Sequence, residues 1–291
     1  MIPKTIHYCW FGRNPLPELA QKCIASWKQY CPDYQIIEWN EDTFDLDAAP
    51  LYVREAYAAK KWAFVTDYVR LYAMTRQGGI YMDTDVEVVK PLDSFLKHQA
   101  FSGFENATQV PTGIMACEKG FPLFEQFLRY YDKAVFPKDP EQLKYETNVA
   151  VITRTLDEKG LQRNNTLQTI DGLTLYPNDI FCPKSVYDGK IYATENTCTI
   201  HHFDGSWLSE SDMIQKEKCK QYFERHKASK LFRLRCKGLK AQEIDDKLAK
   251  MWYKRNRRRW KLQQLMYYPK TFIKKIFGGS FSAKLKKLLG R

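Results

Sequence analysis

The sequence predicts an α/β protein with a basic helical extension at its carboxy-terminal end. Over about the first 210 residues, short runs of β-branched and aromatic residues alternate with helical patterns. The 291 residues are 44% hydrophobic and 27% charged, which is typical of a folded globular protein. Beyond residue 212 the pattern is helical and rich in cations. We therefore expect an α/β domain at 1–210 and a basic amphipathic helical region at 211–291.

The first elements have the order strand, helix, strand. Residues 5–11, TIHYCWF, predict a short buried strand that ends at Gly12. The run 19–30 places apolar residues at helical spacing before Pro32 ends it. Residues 34–40, YQIIEWN, predict the second strand. This order favours an α/β sheet with right-handed crossovers.

The next elements lead to an acidic motif. Residues 55–76 contain no Gly or Pro and predict one long helix that ends at Gly78. Residues 80–89, IYMDTDVEVV, predict the following strand. Further strands and helices alternate up to 201–207, HHFDGSW, which is the last motif before the basic region.

Several classes of protein are not expected. No apolar run approaches the ~18 residues that cross a bilayer, and the first residues lack the pattern of a secretory signal. The eight cysteines form no CxxC pair and no compact zinc spacing. This pattern favours reduced thiols in a cytosolic compartment over disulfides or structural zinc.

Charge separates the two predicted regions. Residues 213–291 hold 25 Lys and Arg against five Asp and Glu, a net charge of +20, whereas residues 1–212 have a net charge of −8. The densest stretch, KRNRRRWK at 254–261, contains six cations in eight residues. A polyanion is the expected partner of such a segment.

Three interpretations of the basic region compete. An anionic membrane attracts each nearby cation by ~1 kcal/mol, so six cations contribute up to ~6 kcal/mol. Basic helices that also carry Trp and Phe suit the membrane interface. We expect peripheral docking on an anionic membrane surface through 213–291. Nucleic-acid binding is a less favoured alternative, and packing against the body or a second subunit is another.

The acidic motif is DTD. Asp83 and Asp85 leave the same face if the strand continues through them. Two carboxylates so near to each other repel, and a divalent cation relieves the repulsion. Mg²⁺ and Mn²⁺ favour carboxylate oxygens and bridge to substrate phosphates. A solvated pair is the alternative, but the apolar run before Asp83 delivers the motif to the carboxyl end of a strand, where open α/β sheets bind ligands.

Asp67 and Arg70 lie three residues apart on the preceding helix. They form either a surface ion pair, worth less than ~1 kcal/mol, or a partly buried pair. In the second case Arg70 faces phosphate or sugar oxygens and Asp67 accepts sugar hydroxyls. The sequence leaves both possibilities open.

Four segments of the chain together resemble glycosyltransferase family 32, whose members carry a DXD-containing sugar-binding region. The segments are residues 2–12, 23–44, 60–93 and 200–207. Relatives in this family include yeast mannosyltransferases and bacterial capsule and O-antigen enzymes. The resemblance implies a GT-A fold, with a Rossmann-like nucleotide-sugar-binding sheet. It also implies transfer of a hexose with retention of anomeric configuration, using Mn²⁺ or Mg²⁺.

The resemblance assigns roles to the four acidic and basic residues already named. Asp67 and Arg70 match the pair that grips the transferred sugar. Asp83 matches the first acid of the motif, which contacts the ribose and the metal, and Asp85 matches the direct metal ligand. These four residues form the predicted catalytic set.

Further donor-binding residues follow from the resemblance to the related clostridial glucosylating toxins. Trp10 matches an aromatic residue that stacks on the donor base, although a core Trp is the alternative. Asn40 matches a polar donor contact. Ser206 and Trp207 match the segment that closes over the diphosphate.

One of two adjacent histidines is expected to bind the metal as well. The sequence does not distinguish His201 from His202, and we favour His202 slightly. No nucleophilic carboxylate is identified, because Glu87 is expected on a solvated strand face and Glu105 in a loop. Same-face attack by the acceptor, with the departing phosphate as base, fits as well as the double displacement of retaining glycosidases.

The sequence thus predicts a retaining, metal-dependent hexosyltransferase that uses a nucleotide sugar, with a UDP-sugar favoured. The expected acceptor is a glycan or lipid-linked saccharide in surface polysaccharide synthesis, at the inner face of the membrane. One alternative is a nucleotide-sugar-binding scaffold without catalysis, and another is a metal-dependent phosphoester hydrolase. The base, sugar, acceptor and linkage are not determined by the sequence.

Overall fold

The structure is a computed structural model. It describes residues 1–106, 108–110, 113–137, 147–186, 189–205 and 210–229, and a few helical positions between 244 and 254. The chain divides into two units, Met1–Glu217 and Lys218–Arg291. The first unit carries the sheet and the candidate site. Most of the basic region lies outside the described residues. Within its densest stretch, 254–261, only residue 254 is described.

The predicted strand, helix, strand opening is confirmed. It consists of β1 (Thr5–Cys9), α1 (Glu18–Tyr30) and β2 (Gln35–Trp39). β1 and β2 pair in parallel along their whole length. Helix α1 begins directly after Pro17, and its apolar face is buried, with Trp27 fully enclosed. The indole N–H of Trp27 donates to the carbonyl of Val86 at 2.7 Å and so ties α1 to the strand that follows the acidic motif.

The single long helix predicted at 55–76 is wrong, because two helices occupy this stretch. They are α2 (Leu51–Ala58) and α3 (Trp62–Gln77). Lys60 has a φ of 56°, in the left-handed region. The amide of Lys61 then donates to the carbonyl of Ala56 at 2.9 Å, as in a helix C-terminal motif usually built on Gly. Helix α3 ends at Gly78, as predicted.

The single strand predicted at 80–89 is also interrupted. β3 (Gly79–Met82) ends before the acidic motif, and β4 (Val86–Val88) begins after it. The amide of Val86 donates to the carbonyl of Asp83 at 3.0 Å, which closes a turn. β4 leaves the main sheet and pairs antiparallel with β9 (Thr199–His201). The two acids of the motif therefore lie on a turn and not on one face of a strand.

The remaining elements complete the α/β pattern. They are β5 (Ala100–Gly103), β6 (Ile114–Cys117), α4 (Pro122–Arg129), α5 (Asn148–Glu158), β7 (Gln168–Ile170), β8 (Leu173–Tyr176), α6 (Asn178–Phe181) and α7 (Glu210–Ala228). Two 3₁₀ turns, Asp93–Phe95 and Tyr130–Asp132, connect neighbouring elements.

The main sheet has the strand order β2-β1-β3-β6-β5-β8-β7. β1 is parallel to β2 and β3, and β5 is parallel to β8, while β6 runs antiparallel to β3 and β5. The carboxyl ends of β1, β2, β3, β5 and β8 therefore meet at one edge. This confirms the predicted α/β class and gives the mixed sheet expected of a GT-A fold. We call this edge the carboxyl edge.

The two faces of the sheet pack into two hydrophobic clusters. Tyr81 belongs to one cluster and its neighbours Ile80 and Met82 to the other, because successive strand residues point to opposite faces. One side of α3 is buried in the first cluster, with Val65 and Val69 fully enclosed. The seven described cysteines are free thiols. Among the residues described, no helix combines the length and hydrophobicity needed to cross a bilayer.

Candidate active site

The carboxyl edge gathers polar side chains from three elements. Helix α3 supplies Asp67 and Arg70, the turn between β3 and β4 supplies Asp83 and Asp85, and the end of β9 supplies His201. Four of these are the predicted catalytic residues. The sheet topology brings them together because β3 follows α3 directly and β9 pairs with β4.

Arg70 is a buried cation between two carboxylates. Its Nη2 atom lies 3.4 Å from Oδ1 of Asp67 and 3.2 Å from Oδ1 of Asp83, and the residue is 5% exposed. Its Nε donates to the carbonyl of Thr66 at 3.2 Å, and its guanidinium carbon lies 4.7 Å from the ring centroid of Tyr81. Of the two possibilities that the sequence left open, the structure shows the buried pair.

Burial affects the two charges of this pair differently. Burial lowers the pKa of Arg70, but the charges of Asp83 and Asp67 outweigh this effect and raise the pKa above its usual range. Burial raises the pKa of Asp67 to about 6, although Arg70 opposes the shift. Arg70 therefore stays cationic, whereas Asp67 accepts a proton in mildly acidic solution.

Asn148, at the start of α5, holds Asp67 from the other side. Its backbone N–H donates to Oδ2 of Asp67 at 3.3 Å, and its Nδ2 donates to the carbonyl of Asp67 at 2.8 Å. A helix N-terminus stabilises a nearby carboxylate. Asn148 is 2% exposed, and its Oδ1 is buried without a hydrogen-bond partner in the described part of the chain. Sequence reasoning missed this residue, since an Asn that begins a helix has no distinctive spacing.

Asp83 is fixed through one of its two carboxylate oxygens. Its Oδ1 accepts a hydrogen bond from the hydroxyl of Tyr81 at 2.9 Å and also faces Arg70. Its backbone N–H donates to the carbonyl of Gly113 at 2.8 Å. Within the described residues this arrangement leaves Oδ2 for a ligand. Tyr81 is a second residue that sequence reasoning missed.

Asp85 is held by the segment that follows β9. Its Oδ1 lies 3.3 Å from Nε2 of His201, and its Oδ2 accepts the backbone N–H of Asp204 at 2.8 Å. Burial opposes ionisation of Asp85, but the charge and hydrogen bond of His201 prevail and hold its pKa well below the usual range. Burial lowers the pKa of His201, and Asp85 more than compensates, so the pKa of His201 is raised. Asp85 and His201 therefore stabilise each other's charged form.

Asp83, Asp85 and His201 together form a candidate metal centre. Each offers one ligand atom, and these atoms all lie within 4.8 Å of one another. The three side chains are 25%, 16% and 13% exposed, so the group borders solvent. Neighbouring ligands of one Mg²⁺ ion, with bonds near 2.1 Å, lie roughly 3 Å apart, which is close to the Asp85–His201 separation. Two carboxylates and one imidazole fit Mn²⁺ or Mg²⁺, with the other positions left to substrate oxygens.

The expected third ligand, His202, lies outside this group, and the structure places His201 there. The Nε2 atom of His202 makes a 2.8 Å hydrogen bond with Oε2 of Glu87, which also pairs with Lys22 at 3.2 Å. The adjacent histidines have different partners, because Nε2 of His201 faces Asp85 and Nε2 of His202 faces Glu87. Glu87 is 19% exposed and pairs with His202, so the expectation of a solvated strand face is corrected.

Glu105 lies closer to the centre than its position in a loop suggested. It follows β5 at the carboxyl edge, with its backbone N–H donating to the carbonyl of Gln109 at 2.8 Å. Burial raises the pKa of its carboxyl group, His201 lowers it, and Asp83 raises it further. The charges of two members of the candidate metal centre therefore influence the pKa of this carboxyl group.

Trp10 and Asn40 also follow strands at the carboxyl edge. The indole N–H of Trp10 donates to the carbonyl of Asn14 at 2.6 Å, and the ring is partly buried. The side chain of Asn40 closes the turn after β2, because its Oδ1 accepts the amide of Asp42 at 2.9 Å and its Nδ2 donates to Glu38 at 2.8 Å. Their roles toward a donor stay predictions.

Ser206 and Trp207 lie outside the described residues. They fall between Gly205 and residue 210, just after Asp204, whose amide donates to Asp85. Their predicted role in closing over a diphosphate stays a prediction.

Comparison with known families gives a match near the amino-terminal end of the chain. Residues 17–102 match the family model described as a glycosyltransferase sugar-binding region containing a DXD motif. This range includes all four predicted catalytic residues but not His201. The match supports the family resemblance inferred from the sequence, over residues 17–102.

Curated relatives include two fungal enzymes of sphingolipid glycosylation and one bacterial protein. The chain is 27% identical to inositol phosphoceramide mannosyltransferase 3 of Schizosaccharomyces pombe over 46% of this chain and 38% of the relative. It is 30% identical to mannosyl phosphorylinositol ceramide synthase CSH1 of Saccharomyces cerevisiae over 46% and 37%. It is 22% identical to subversion of eukaryotic traffic protein A of Legionella pneumophila over 50% and 27%. The chain thus spans less than two fifths of the length of each relative.

Two solved structures to which the chain is similar are named as glycosyltransferases. The PaToxG glycosyltransferase shares 21% identity over 55% of this chain and 69% of that chain, with a TM-score of 0.42. The galactosyltransferase LgtC, in complex with donor and acceptor sugar analogues, shares 12% over 75% and 94%, with a TM-score of 0.36. These similarities are low, and the fold assignment depends on the strand order and pairing described above.

Proposed function

We propose that this protein is a retaining, metal-dependent hexosyltransferase that moves a sugar from a nucleotide sugar to a lipid-linked acceptor. The observation that carries the proposal is the grouping of Asp83, Asp85 and His201 beside the buried Arg70 at the carboxyl edge. The match of residues 17–102 to a DXD-containing sugar-binding region supports the same activity.

The candidate metal centre would hold Mn²⁺ or Mg²⁺ through Asp83, Asp85 and His201. When bound, such an ion neutralises negative charge that develops on a departing diphosphate. The protein prepares for this charge by fixing Asp83 through Tyr81 and Arg70, and Asp85 through the backbone of Asp204. Groups that are already oriented need little reorganisation during the reaction.

Asp67 and Arg70 would orient the transferred hexose. Arg70 stays cationic in its buried position, and a guanidinium can donate several hydrogen bonds in one plane. Asp67 is held at both its backbone and its carboxylate by Asn148, so its position is defined before a sugar binds. Fixed partners of this kind favour one sugar orientation over others.

We propose that retention follows because the acceptor oxygen attacks the anomeric carbon on the same face from which the leaving group departs. The bond between the acceptor oxygen and the anomeric carbon forms while the bond from that carbon to the phosphate oxygen breaks. The hydroxyl proton of the acceptor moves to the departing phosphate. This route needs no nucleophilic carboxylate.

The proposed acceptor is a lipid at an anionic membrane. The names of the fungal relatives concern mannosyl transfer to inositol phosphoceramide, which supports a lipid acceptor over a surface polysaccharide. The net charge of +20 in residues 213–291 supports docking of the chain on an anionic bilayer. We place the protein at the cytoplasmic face of a membrane as a peripheral protein. We propose a UDP-sugar as the donor, and GDP-sugars are the alternative to be tested in parallel.

A donor screen tests the catalytic proposal. Thermal shifts with UDP- and GDP-sugars, with and without Mn²⁺, identify the donor, and mass spectrometry then detects the product on a lipid-linked acceptor. Asp171→Asn, which removes an exposed carboxylate, is the control for variants of the site such as Asp85→Ala. Release of sugar or phosphate regardless of any acceptor favours a hydrolase. Donor binding without transfer or slow hydrolysis favours a binding scaffold.

Liposome sedimentation tests the membrane proposal. The full chain and a variant in which the six cations of 254–261 are replaced by Gln are compared over a salt series. We expect the native chain to bind anionic vesicles in low salt and the variant to bind much less. Equal binding by both contradicts docking through this stretch, and preferential binding to DNA favours a nucleic acid.

A further inference from the structure

Gly113 lies immediately before β6 and touches two members of the candidate metal centre. Its carbonyl accepts the backbone N–H of Asp83 at 2.8 Å. A Cβ atom built on Gly113 would lie 2.7 Å from Nδ1 and 2.8 Å from Cε1 of His201. The imidazole therefore occupies the volume that a side chain at position 113 would fill.

The absence of a side chain at Gly113 matters because a Cβ atom there would lie well inside van der Waals distance of His201. Ordinary contacts of a Cβ atom begin at 3.4 Å, so an alanine at position 113 would force the imidazole of His201 to retreat by about 0.7 Å. Ligands need to be held within about 0.5 Å of the productive geometry. The ring of Phe203 packs against the same imidazole, with its centroid 4.0 Å from that of His201, so a shift of the imidazole would also disturb this contact.

We infer that Gly113 is a positioning residue of the metal centre. It admits the His201 imidazole to the side of Asp85, and its carbonyl fixes the backbone of Asp83. The inference rests on the proposed function, because it concerns the metal centre of that activity. Gly113 lies outside the range that matches the sugar-binding family model.

The backbone at Gly113 does not itself require glycine. Its φ is outside the left-handed region, in contrast to that of Gly78 or Gly79. An alanine can adopt the same backbone conformation, so Gly113→Ala acts through its Cβ atom alone. This separates the effect on His201 from general strain.

Mn²⁺ titration of the full chain tests the inference. Free Mn²⁺ is followed by electron paramagnetic resonance, in the absence and presence of UDP or GDP. We expect Gly113→Ala to weaken Mn²⁺ binding by about 10- to 100-fold, the usual effect of disturbing the groups that orient a metal ligand. In a His201→Ala background the same substitution should cause little further loss, because its steric partner is gone.

Gly103→Ala is the matched control. Its Cβ would lie 2.9 Å from Cδ2 of Phe181 and 3.2 Å from the carbonyl of Tyr176, in a strand and with no left-handed φ. We expect this variant to lose thermal stability as Gly113→Ala does, but to bind Mn²⁺ like the native chain. A second measurement needs no metal. The imidazole ¹⁵N resonances of His201 should shift in Gly113→Ala and not in Gly103→Ala.

The outcomes distinguish this inference from the proposed function. Native-like Mn²⁺ binding by Gly113→Ala overturns the inference and leaves the metal centre intact. An equal loss in the His201→Ala background also overturns it, because the effect then does not pass through the imidazole. Failure of the native chain to bind Mn²⁺ under any condition refutes metal dependence and the inference with it.

Discussion

Acid should destabilise the fold through His7, which lies fully buried in β1. Its Nε2 makes a 2.8 Å hydrogen bond with the carbonyl of Gly78, and its Nδ1 accepts the indole N–H of Trp39 at 3.1 Å. These partners require the neutral tautomer with the proton on Nε2. A second proton would face the indole N–H and break this bond. His7 therefore ties the end of α3, and the start of β3, to the neighbouring strands.

The size of the effect follows from the pKa of His7. Burial lowers that pKa from 6.5 to about 4, although the bond to Gly78 opposes the shift. The unfolded chain then binds more protons than the native chain between these values, so stability is complete above pH 6.5 and falls as the pH drops toward 4. Linkage gives a loss of about 2 kcal/mol between pH 7.5 and pH 5, and about 3 kcal/mol by pH 4.

Urea unfolding of the native chain and of His7→Gln, followed by tryptophan fluorescence over this pH range, measures the effect. Gln can still donate to the carbonyl of Gly78 but does not titrate. We expect His7→Gln to be less stable at pH 7.5 because the bond from Trp39 is disturbed, and to lose about 2 kcal/mol less on going to pH 5. If both proteins show the same pH dependence, the buried neutral imidazole is not the cause.

Three substitutions in the candidate active site test the roles of individual groups. Asp85→Ala should abolish Mn²⁺-dependent donor binding, since an oxygen ligand and a negative charge are lost together, and calorimetry showing undiminished binding would contradict this. Arg70→Lys should not restore the activity lost in Arg70→Ala, because an ammonium cannot contact both acids and also supply the Nε donor to Thr66 and the planar group over Tyr81; near-native turnover would make Arg70 structural. Tyr81→Phe should weaken donor binding by roughly 10-fold, since a hydrogen bond to a charged group contributes ~1.5–3 kcal/mol, and unchanged affinity would show that Arg70 alone fixes Asp83.

The opening of the fold was predictable because its signals are local. Pro17 and Pro32 limit the first helix, and the apolar runs on either side have the length and composition of strands. Parallel pairing then follows from the strand, helix, strand order. No long-range information is needed for any of these steps.

The two errors in the fold have different physical origins. Lys60 adopts the left-handed conformation without being Gly or Asn, so no residue type announces the break between α2 and α3. The interruption after Met82 depends on β9, whose Thr199–His201 pair with Val86–Val88 from more than a hundred residues away. A run of strand-forming residues cannot reveal that its two halves belong to different sheets.

The candidate site was partly predictable for the same reason. Asp83 and Asp85 are adjacent in sequence to a strand end, and helical spacing places Asp67 and Arg70 together. The choice between the two histidines depends on which side of β9 faces the motif, and this is decided by strand pairing. Asn148, Tyr81 and Gly113 support the site by packing and hydrogen bonding, and such contacts have no spacing pattern in the sequence.

The turn between β3 and β4 gives the two acids of the motif different surroundings. Asp83 belongs to a buried network, in which Arg70 and Tyr81 both bind its Oδ1. Asp85 belongs to the β4–β9 side and is held by His201 and the amide of Asp204. A continuous strand would have placed both carboxylates on one face with similar neighbours. Because the turn separates their supports, one acid is fixed by the element that would grip the sugar and the other by the segment that would close over the diphosphate. A metal ion between them would therefore couple these two parts of the site.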